Sequence, residues 1–426
     1  MGRAPGGHPT VLSCFSGAGG LDLGLEAAGF RAVGLLETDE DARTTLLANR
    51  PAWTLLTPAD VVEAGTELRP RHLGLRARQL DLLAGGPPCQ PFSKAAQWSE
   101  RSRVGMADPR GQAILGMLDL LESFRPKAML IENVAGFLDG GVSAEDVITA
   151  RLDQINDKYA TSYSLNWYVV DAADYGVPQH RQRVIATAFR DGQRVEGPPP
   201  ATHANRHVTA WEALHSLEPA VLPTATGKWA ALLPCVPEGG NYLYLTKRGG
   251  GPELFGWRTR YWSFLLKLAR DRPSWTLPAS PGPGTGPFHW DNRPLAVEER
   301  LALQGFPPGW VLSGDDRDQV RLAGNATPPP LAEAAGRQVA AVLGLSSPQP
   351  EARAVAVSPT TPQPVAPAQL PTEFEGLVGP KDSHAGEGAG PGRARQSPLN
   401  TPAFGPMAGQ VADARNDRAT LLVDAL

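Results

Sequence analysis

A cysteine stands in the run Gly85-Gly86-Pro87-Pro88-Cys89-Gln90-Pro91-Phe92-Ser93, directly after an apolar stretch that ends at Ala84. Prolines fix φ and glycines permit tight turns, so the run is a stiff loop. Its place after an apolar run puts it at the carboxyl end of a strand, the edge at which open α/β sheets bind ligands. A thiol there is poised for nucleophilic addition, because the thiolate is the reactive form. Cys14 and Cys235 lack that context and read as small core hydrophobes. A second candidate is Glu132 in Ile131-Glu132-Asn133-Val134, emerging at the end of the apolar run 128–131. A carboxyl beside low-dielectric walls can stay protonated near neutral pH and donate a hydrogen bond; a solvated loop glutamate is the alternative. A third is Gln179-His180-Arg181-Gln182-Arg183, where alternation points Gln179, Arg181 and Arg183 to one face of a strand. Guanidinium groups so arrayed suit phosphate or carboxylate, although an ordinary edge strand with a polar face fits the same pattern.

The fourth constellation, Phe15-Ser16-Gly17-Ala18-Gly19-Gly20-Leu21-Asp22, follows an apolar strand and opens a helix. Glycines there let the backbone approach a ligand, and free amides at a helix start face its polar groups. Glu37 ends the next strand, 18 residues after Gly19, where an open α/β sheet sets a carboxylate on a ribose diol. A nucleoside-type cofactor follows from this pairing. A nicotinamide dinucleotide competes, but Leu23 stands where the full Gly-x-Gly-x-x-Gly fingerprint needs a third glycine.

These groups need a scaffold, and the apolar pattern supplies one. Strand-like runs at 11–15, 32–36, 80–84 and 128–131 alternate with helical patterns from Leu21 to Ala28, at 39–49 and at 114–124. Such alternation predicts a Rossmann-like, doubly wound, mainly parallel α/β sheet covered on both faces, over residues 9–194. Glycine, proline and tryptophan then become frequent, so residues 195–290 read as a smaller irregular domain whose one persistent helix is expected at 262–268. Helical patterns at 297–303 and 331–343 lie in a C-terminal segment, 291–345. From Ser346 to the end, Pro, Ala, Ser, Gln and Gly dominate, and such a chain cannot bury enough apolar surface to offset its ordering entropy. A disordered tail, dispensable for catalysis, is the expectation for 346–426.

Composition narrows the function classes. The net charge of −4 argues against a protein that coats nucleic acid indiscriminately. It leaves room for a local groove: between Leu243 and Arg272 seven basic residues (Lys247, Arg248, Arg258, Arg260, Lys267, Arg270 and Arg272) face two acidic ones. Phosphate contacts are expected there, a solvated basic face being the alternative. Three distant cysteines make neither a disulfide framework nor a metal-ligand spacing, so no metal is expected. No apolar signal core and no stretch near the ~20 apolar residues of a membrane span is present, which reads as a soluble cytoplasmic protein.

Taken in order and spacing, these runs closely resemble the DNA (cytosine-5)-methyltransferases. Phe15 to Leu21, Pro88-Cys89-Gln90, Glu132-Asn133-Val134, Gln179-x-Arg181-x-Arg183, Gln304-Gly305-Phe306-Pro307 and Gly324-Asn325-Ala326 carry the likeness. The resemblance implies an S-adenosylmethionine pocket lined by Phe15, Gly17, Gly19, Gly20, Glu37, Asp60, Val61 and Asn325, with Glu37 on the ribose and Asp60 near the adenine amine. It also implies that residues 195–290 are the target-recognition domain for duplex DNA and that segment 291–345 returns to the catalytic domain; Gln90, Ser93 and Gln179, with Arg258 and Arg260 of the basic cluster, are the expected DNA contacts. The catalytic set is Cys89, Glu132, Arg181 and Arg183. Cys89 adds to carbon 6 of a flipped-out cytosine, Glu132 hydrogen-bonds ring nitrogen 3, Arg181 holds Glu132, and Arg183 supports the nearby backbone. The activated ring then takes the methyl group at carbon 5, and loss of the carbon-5 proton expels the thiolate. A monomer is expected, serving beside a restriction endonuclease, in phage defence or alone. A tRNA-modifying branch of the same family is the rival, and the sizeable second domain favours DNA. The sequence departs from the family late: Ala296 and Ala302 stand where Thr or Ser and Arg are usual, and Thr327 where Val is usual.

Overall fold

The computed structural model describes residues 8–88, 109–138, 144–257, 260–348 and 360–374. Along the chain come β1 (Thr10–Cys14), α1 (Gly20–Ala27), β2 (Arg31–Leu36), α2 (Glu40–Asn49), α3 (Val61–Glu67), β3 (Leu82–Gly85), α4 (Pro109–Phe124), β4 (Ala128–Val134), α5 (Ala144–Tyr159), β5 (Asn166–Asp171), β6 (Gln179–His180) and β7 (Gln182–Phe189). They are followed by α6 (Ala210–Leu214), β8 (Ser274–Trp275), α7 (Val297–Leu303), α8 (Asp316–Asn325) and α9 (Pro329–Val342). Six strands form one sheet in the order β2-β1-β3-β4-β7-β5. The first four are parallel; β7 runs antiparallel to β4 and β5 antiparallel to β7. Strands β1 and β3 are buried along their whole length, as continuous apolar runs covered on both faces must be.

One face of the sheet packs on α3, α4 and α5 through Val61, Ala64, Met117, Leu121, Ile148 and Leu152. The other packs on α1 and α9 through Leu21, Leu25, Leu331, Ala335 and Val339. Close approach of α1 and α9 depends on two glycines: a Cβ at Gly24 would fall 2.4 Å from that of Ala332, and one at Gly336 2.8 Å from that of Ala28. The helix after Asn325 thus packs on the same face of the sheet as α1. Polar caps set the helix starts that border the sheet's carboxyl edge. Asp39 accepts from Ala42 N at 2.9 Å, and Asp60 from Val62 N at 2.7 Å.

Beyond β7 the chain is irregular and builds its own core from Leu232, Leu233, Tyr242, Leu245, Phe255, Phe264 and Phe288. A separate two-stranded pairing of β8 with β6, the short strand just before β7, ties it to the catalytic domain. The helix expected at 262–268 is absent. Phe264 and Lys267 sit instead in isolated bridges with Thr285 and Phe288, and Leu265 has φ 54°. Phe264, Leu265, Leu266, Lys267 and Leu268 are all buried in succession, whereas a surface helix would leave one side wet. The tail also departs from its composition. Phe374 is only 3% exposed and stacks on Trp229, with ring centroids 6.0 Å apart. Ala368 N donates to Pro234 O at 2.9 Å, and the Cys235 thiol donates to Gln369 O at 3.3 Å. One aromatic anchor therefore docks a segment whose average composition shows none. Among the described residues no helix is long and apolar enough to cross a membrane.

Candidate active site

The carboxyl ends of β1, β2 and β3 open onto one cleft, lined by Phe15, Leu36, Glu37, Thr38, Ala59, Asp60, Val61, Val62, Pro88 and Ala113. Phe15 leaves β1 with φ 60°, a left-handed backbone uncommon for a bulky residue, and this turns the chain sharply into the glycine run. Glu37 organises that run from the next strand: its Oε2 accepts Gly17 N at 2.7 Å and its Oε1 accepts Asp39 N at 2.8 Å. Each carboxylate oxygen retains a lone pair toward the cleft.

The three expected glycines differ in use. Nothing lies within 4 Å of a Cβ placed on Gly17, which leaves that backbone open to a ligand. A Cβ on Gly19 would press on Leu46, Trp310 and Trp53, and one on Gly20 would fall 2.0 Å from Thr327 O, so these two allow close packing. Asn325 ends α8 exposed and does not line the cleft. Asp22, beneath the run, is buried with Ser16 Oγ 3.4 Å away. Burial pushes its carboxyl up to about 6.

Glu132 lies at the end of β4 and is buried. Its Oε1 is 2.9 Å from Arg183 Nε, and its Oε2 accepts Thr327 Oγ1 at 3.1 Å. The two arginines exchange the duties expected of them. Arg183 pairs with Glu132, while Arg181, 2% exposed, donates from Nη2 to Gly324 O at 2.8 Å and Ala326 O at 3.2 Å. Register explains this: Arg183 stands opposite Val134 across β7 and β4, two residues along from Glu132 and so on the same face, while Arg181 precedes β7 and reaches the end of α8.

Gln179, expected at the DNA, is fully buried. It donates to Gln304 Oε1 at 3.1 Å and Leu303 O at 3.2 Å, and accepts Leu277 N at 3.1 Å, so it joins three parts of the chain. The basic cluster is likewise less available than its count. Lys267 is buried, donating to Val236 O at 2.9 Å and Asn292 Oδ1 at 2.7 Å, and burial pushes its ammonium down to about 8. Arg270 pairs with Glu238, Arg272 with Asp271, and Arg248 covers the Trp257 ring. Arg260 lies over Phe255, Phe264 and Trp229. Cys89, Gln90, Ser93 and Arg258 lie outside the described residues. Cys14 and Cys235 are buried, and burial pushes both thiols up, as suits core positions. No group of three or more His, Cys, Asp or Glu side chains among the described residues could hold a metal ion. The Thr327 contact had no counterpart in the sequence reading beyond its departure from the family pattern.

The family model for C-5 cytosine-specific DNA methylase matches residues 10–229 and 271–341. The chain belongs to this family. It is a DNA (cytosine-5-)-methyltransferase, and the stretch between the two matched parts falls in the irregular domain that carries Phe255 and Phe264. The Type II methyltransferase M.SacI of Streptomyces achromogenes is 34% identical over 379 residues, covering 78% of this chain and 93% of that protein. The Type II methyltransferase M.Eco47II of Escherichia coli is 34% identical over 358 residues, covering 78% and 79%. The S. pombe Dnmt2 methyltransferase shares the fold, with a TM-score of 0.52 at 18% identity, over 79% of this methyltransferase and 100% of that chain.

Proposed function

We propose that the chain transfers a methyl group from S-adenosylmethionine to carbon 5 of cytosine within a specific duplex DNA sequence, through a Cys89 adduct on a base rotated out of the helix. One observation carries this reading. The buried Glu132 carboxyl, paired with Arg183, faces the loop that leads into Cys89: a Cβ on Gly86 would lie 3.4 Å from Glu132 Oε2, and Asn133 Nδ2 donates to Pro87 O at 3.0 Å. The cleft beside it fits a nucleoside-bearing cofactor, since Gly17 leaves its backbone open and Glu37 offers a fixed carboxylate. Phe15, Gly17, Glu37, Asp60 and Val61 would hold S-adenosylmethionine, which when bound supplies an electrophilic methyl group.

The residues do the rest. Carbon 5 of cytosine is a poor nucleophile, so the Cys89 thiolate first adds to carbon 6 while Glu132 hydrogen-bonds ring nitrogen 3 and offsets the charge that develops there. Arg183 keeps Glu132 turned toward the base. After methyl transfer, loss of the carbon-5 proton breaks the bond to Cys89 and restores the ring. Residues 195–290 would choose the sequence, and the names of the Type II relatives favour a place in restriction and modification; the chain would act in the cytoplasm as a monomer.

Cys89→Ser tests the proposal, since a hydroxyl is far less ionised than a thiol. Turnover should fall by at least about a hundredfold while DNA binding survives. The native chain should also form a gel-stable adduct with duplex DNA carrying 5-fluorocytosine, because fluorine cannot leave as a proton does. Absence of both effects would overturn the mechanism. Labelling of tRNA in place of duplex DNA by tritiated cofactor would overturn the substrate.

A further inference from the structure

The link between α8 and α9 carries a threonine that touches the carboxyl on which the proposed chemistry turns. Thr327 Oγ1 donates to Glu132 Oε2 at 3.1 Å, on the oxygen opposite the one that Arg183 approaches at 2.9 Å. The carboxyl is thus held at both ends, one by a guanidinium and one by a hydroxyl. The hydroxyl is itself fixed. Thr327 is buried, and Pro328 after it restricts its backbone to extended conformations. Its carbonyl meets Gly20 at a separation that no side chain there could share, and Gly86 lies against both Thr327 Oγ1 and Glu132 Oε2.

The residue before it is anchored from two directions. Arg181 donates to Ala326 O at 3.2 Å, and Gln304 donates to it at 3.5 Å and to Ala323 O at 2.6 Å. Gln304 is held by Gln179, which accepts Leu277 N from the chain that follows β8. A valine at 327 would fill the same volume and offer Glu132 Oε2 nothing.

We infer that Thr327 is a positioning residue for methyl transfer: its hydroxyl fixes the rotamer of Glu132 and hence the direction in which the carboxyl meets the base. The inference rests on the proposed role of Glu132. A carboxyl pinned by one partner can swing about its terminal torsion, which is broad. Pinned by two, it presents one edge. Loss of the hydroxyl therefore acts on the reacting complex and leaves the binding of either substrate alone.

The test uses the full chain with duplex DNA and cofactor at saturation. Thr327→Val should lower the single-turnover methylation rate about tenfold, the equivalent of one hydrogen bond of about 1.4 kcal/mol. KM for DNA and the Kd for S-adenosylhomocysteine should stay within about twofold. Thr327→Ser, which restores the hydroxyl, should recover most of the rate. In a Glu132→Gln background, the rate of adduct formation with 5-fluorocytosine DNA should change less than about twofold on adding Thr327→Val, because the two act through one contact. Thermal unfolding of each variant separates a folding defect from a positioning one. A wild-type rate in Thr327→Val, no rescue by serine, or a full tenfold loss in the Glu132→Gln background would each overturn the inference. Turnover on duplex DNA by the unmodified chain is read in the same assay, so its absence would instead sink the functional reading.

Discussion

Phe374→Ala should free Cys235 to thiol reagents. The phenyl ring is buried and stacked on Trp229, and full burial of such a side chain contributes about 2–3 kcal/mol. What remains of the docked segment is the bond from Ala368 N to Pro234 O and the bond from the Cys235 thiol to Gln369 O. Each contributes about 1 kcal/mol or less net, against an ordering cost of about 1–2 kcal/mol per residue. Without the anchor the segment should leave, and the lost docking energy of about 2 kcal/mol corresponds to roughly a thirtyfold change in the open population. The assay is the alkylation rate of Cys235 in a Cys89→Ser chain, where Cys14, fully buried at the end of β1, serves as the slow internal reference. Mildly alkaline buffer is required, because burial pushes the Cys235 thiol up. A chain ended after Leu345 should match Phe374→Ala within about twofold, since both remove the same anchor. Unchanged labelling in both would refute the docking, and thirtyfold labelling in the shortened chain alone would show that the ring is not what holds it.

The two arginines should separate by phenotype. Arg183→Lys should lower the methylation rate about ten- to a hundredfold with little change in unfolding, since a lysine has no donor at the Nε position that stands 2.9 Å from Glu132 Oε1. Arg181→Ala should instead cost about 2–3 kcal/mol of stability by removing the Arg181 donor from Gly324 O and leaving Ala326 O only the longer contact from Gln304, read as a lower urea midpoint. Equal effects of both variants on rate and midpoint would remove the distinction. Asp22 should shape the acid side of the stability profile. Its folded value near 6 lies above the ordinary 3.8, so between those pH values the native chain binds a proton that the unfolded chain has lost. The group's contribution is most favourable below about pH 4, declines through that window and is level above pH 6. Asp22→Asn should flatten this slope and raise stability at pH 7 by up to roughly 3 kcal/mol; equal urea midpoints at pH 7 would contradict it.

The sheet was readable because its strands are uninterrupted apolar runs ending in glycine or acidic residues, and Glu37 and Glu132 fall where such runs stop. The helix at 297–303 was readable from its period. The run at 262–268 misled, because consecutive apolar residues fit a buried irregular segment as well as a helix. Strand alternation put Gln179, Arg181 and Arg183 on one side but could not say how far each reaches. Gln179 is claimed by Gln304, 125 residues later, and no local pattern reports such a partner. Phe374 was hidden by averaging, being a single aromatic within a proline-rich stretch. Thr327 was visible only as a departure, since its meaning lies in a carboxyl 195 positions away.

The packing of α1 against α9 has a bearing on how the molecule comes into being. On a ribosome, the glycine run and α1 emerge first, and α9 emerges some 300 residues later, which at about 5–20 residues per second is on the order of 15–60 s. Through that interval Leu21 and Leu25 lack the cover of Leu331, Ala335 and Val339, Gly20 lacks the carbonyl of Thr327 that it abuts, and Glu132 lacks its hydroxyl partner. A nascent or prematurely ended chain therefore holds the cofactor cleft's residues without the layer that shapes them. Modification of the genome would begin only once translation has nearly finished, a sharp onset set by chain topology alone.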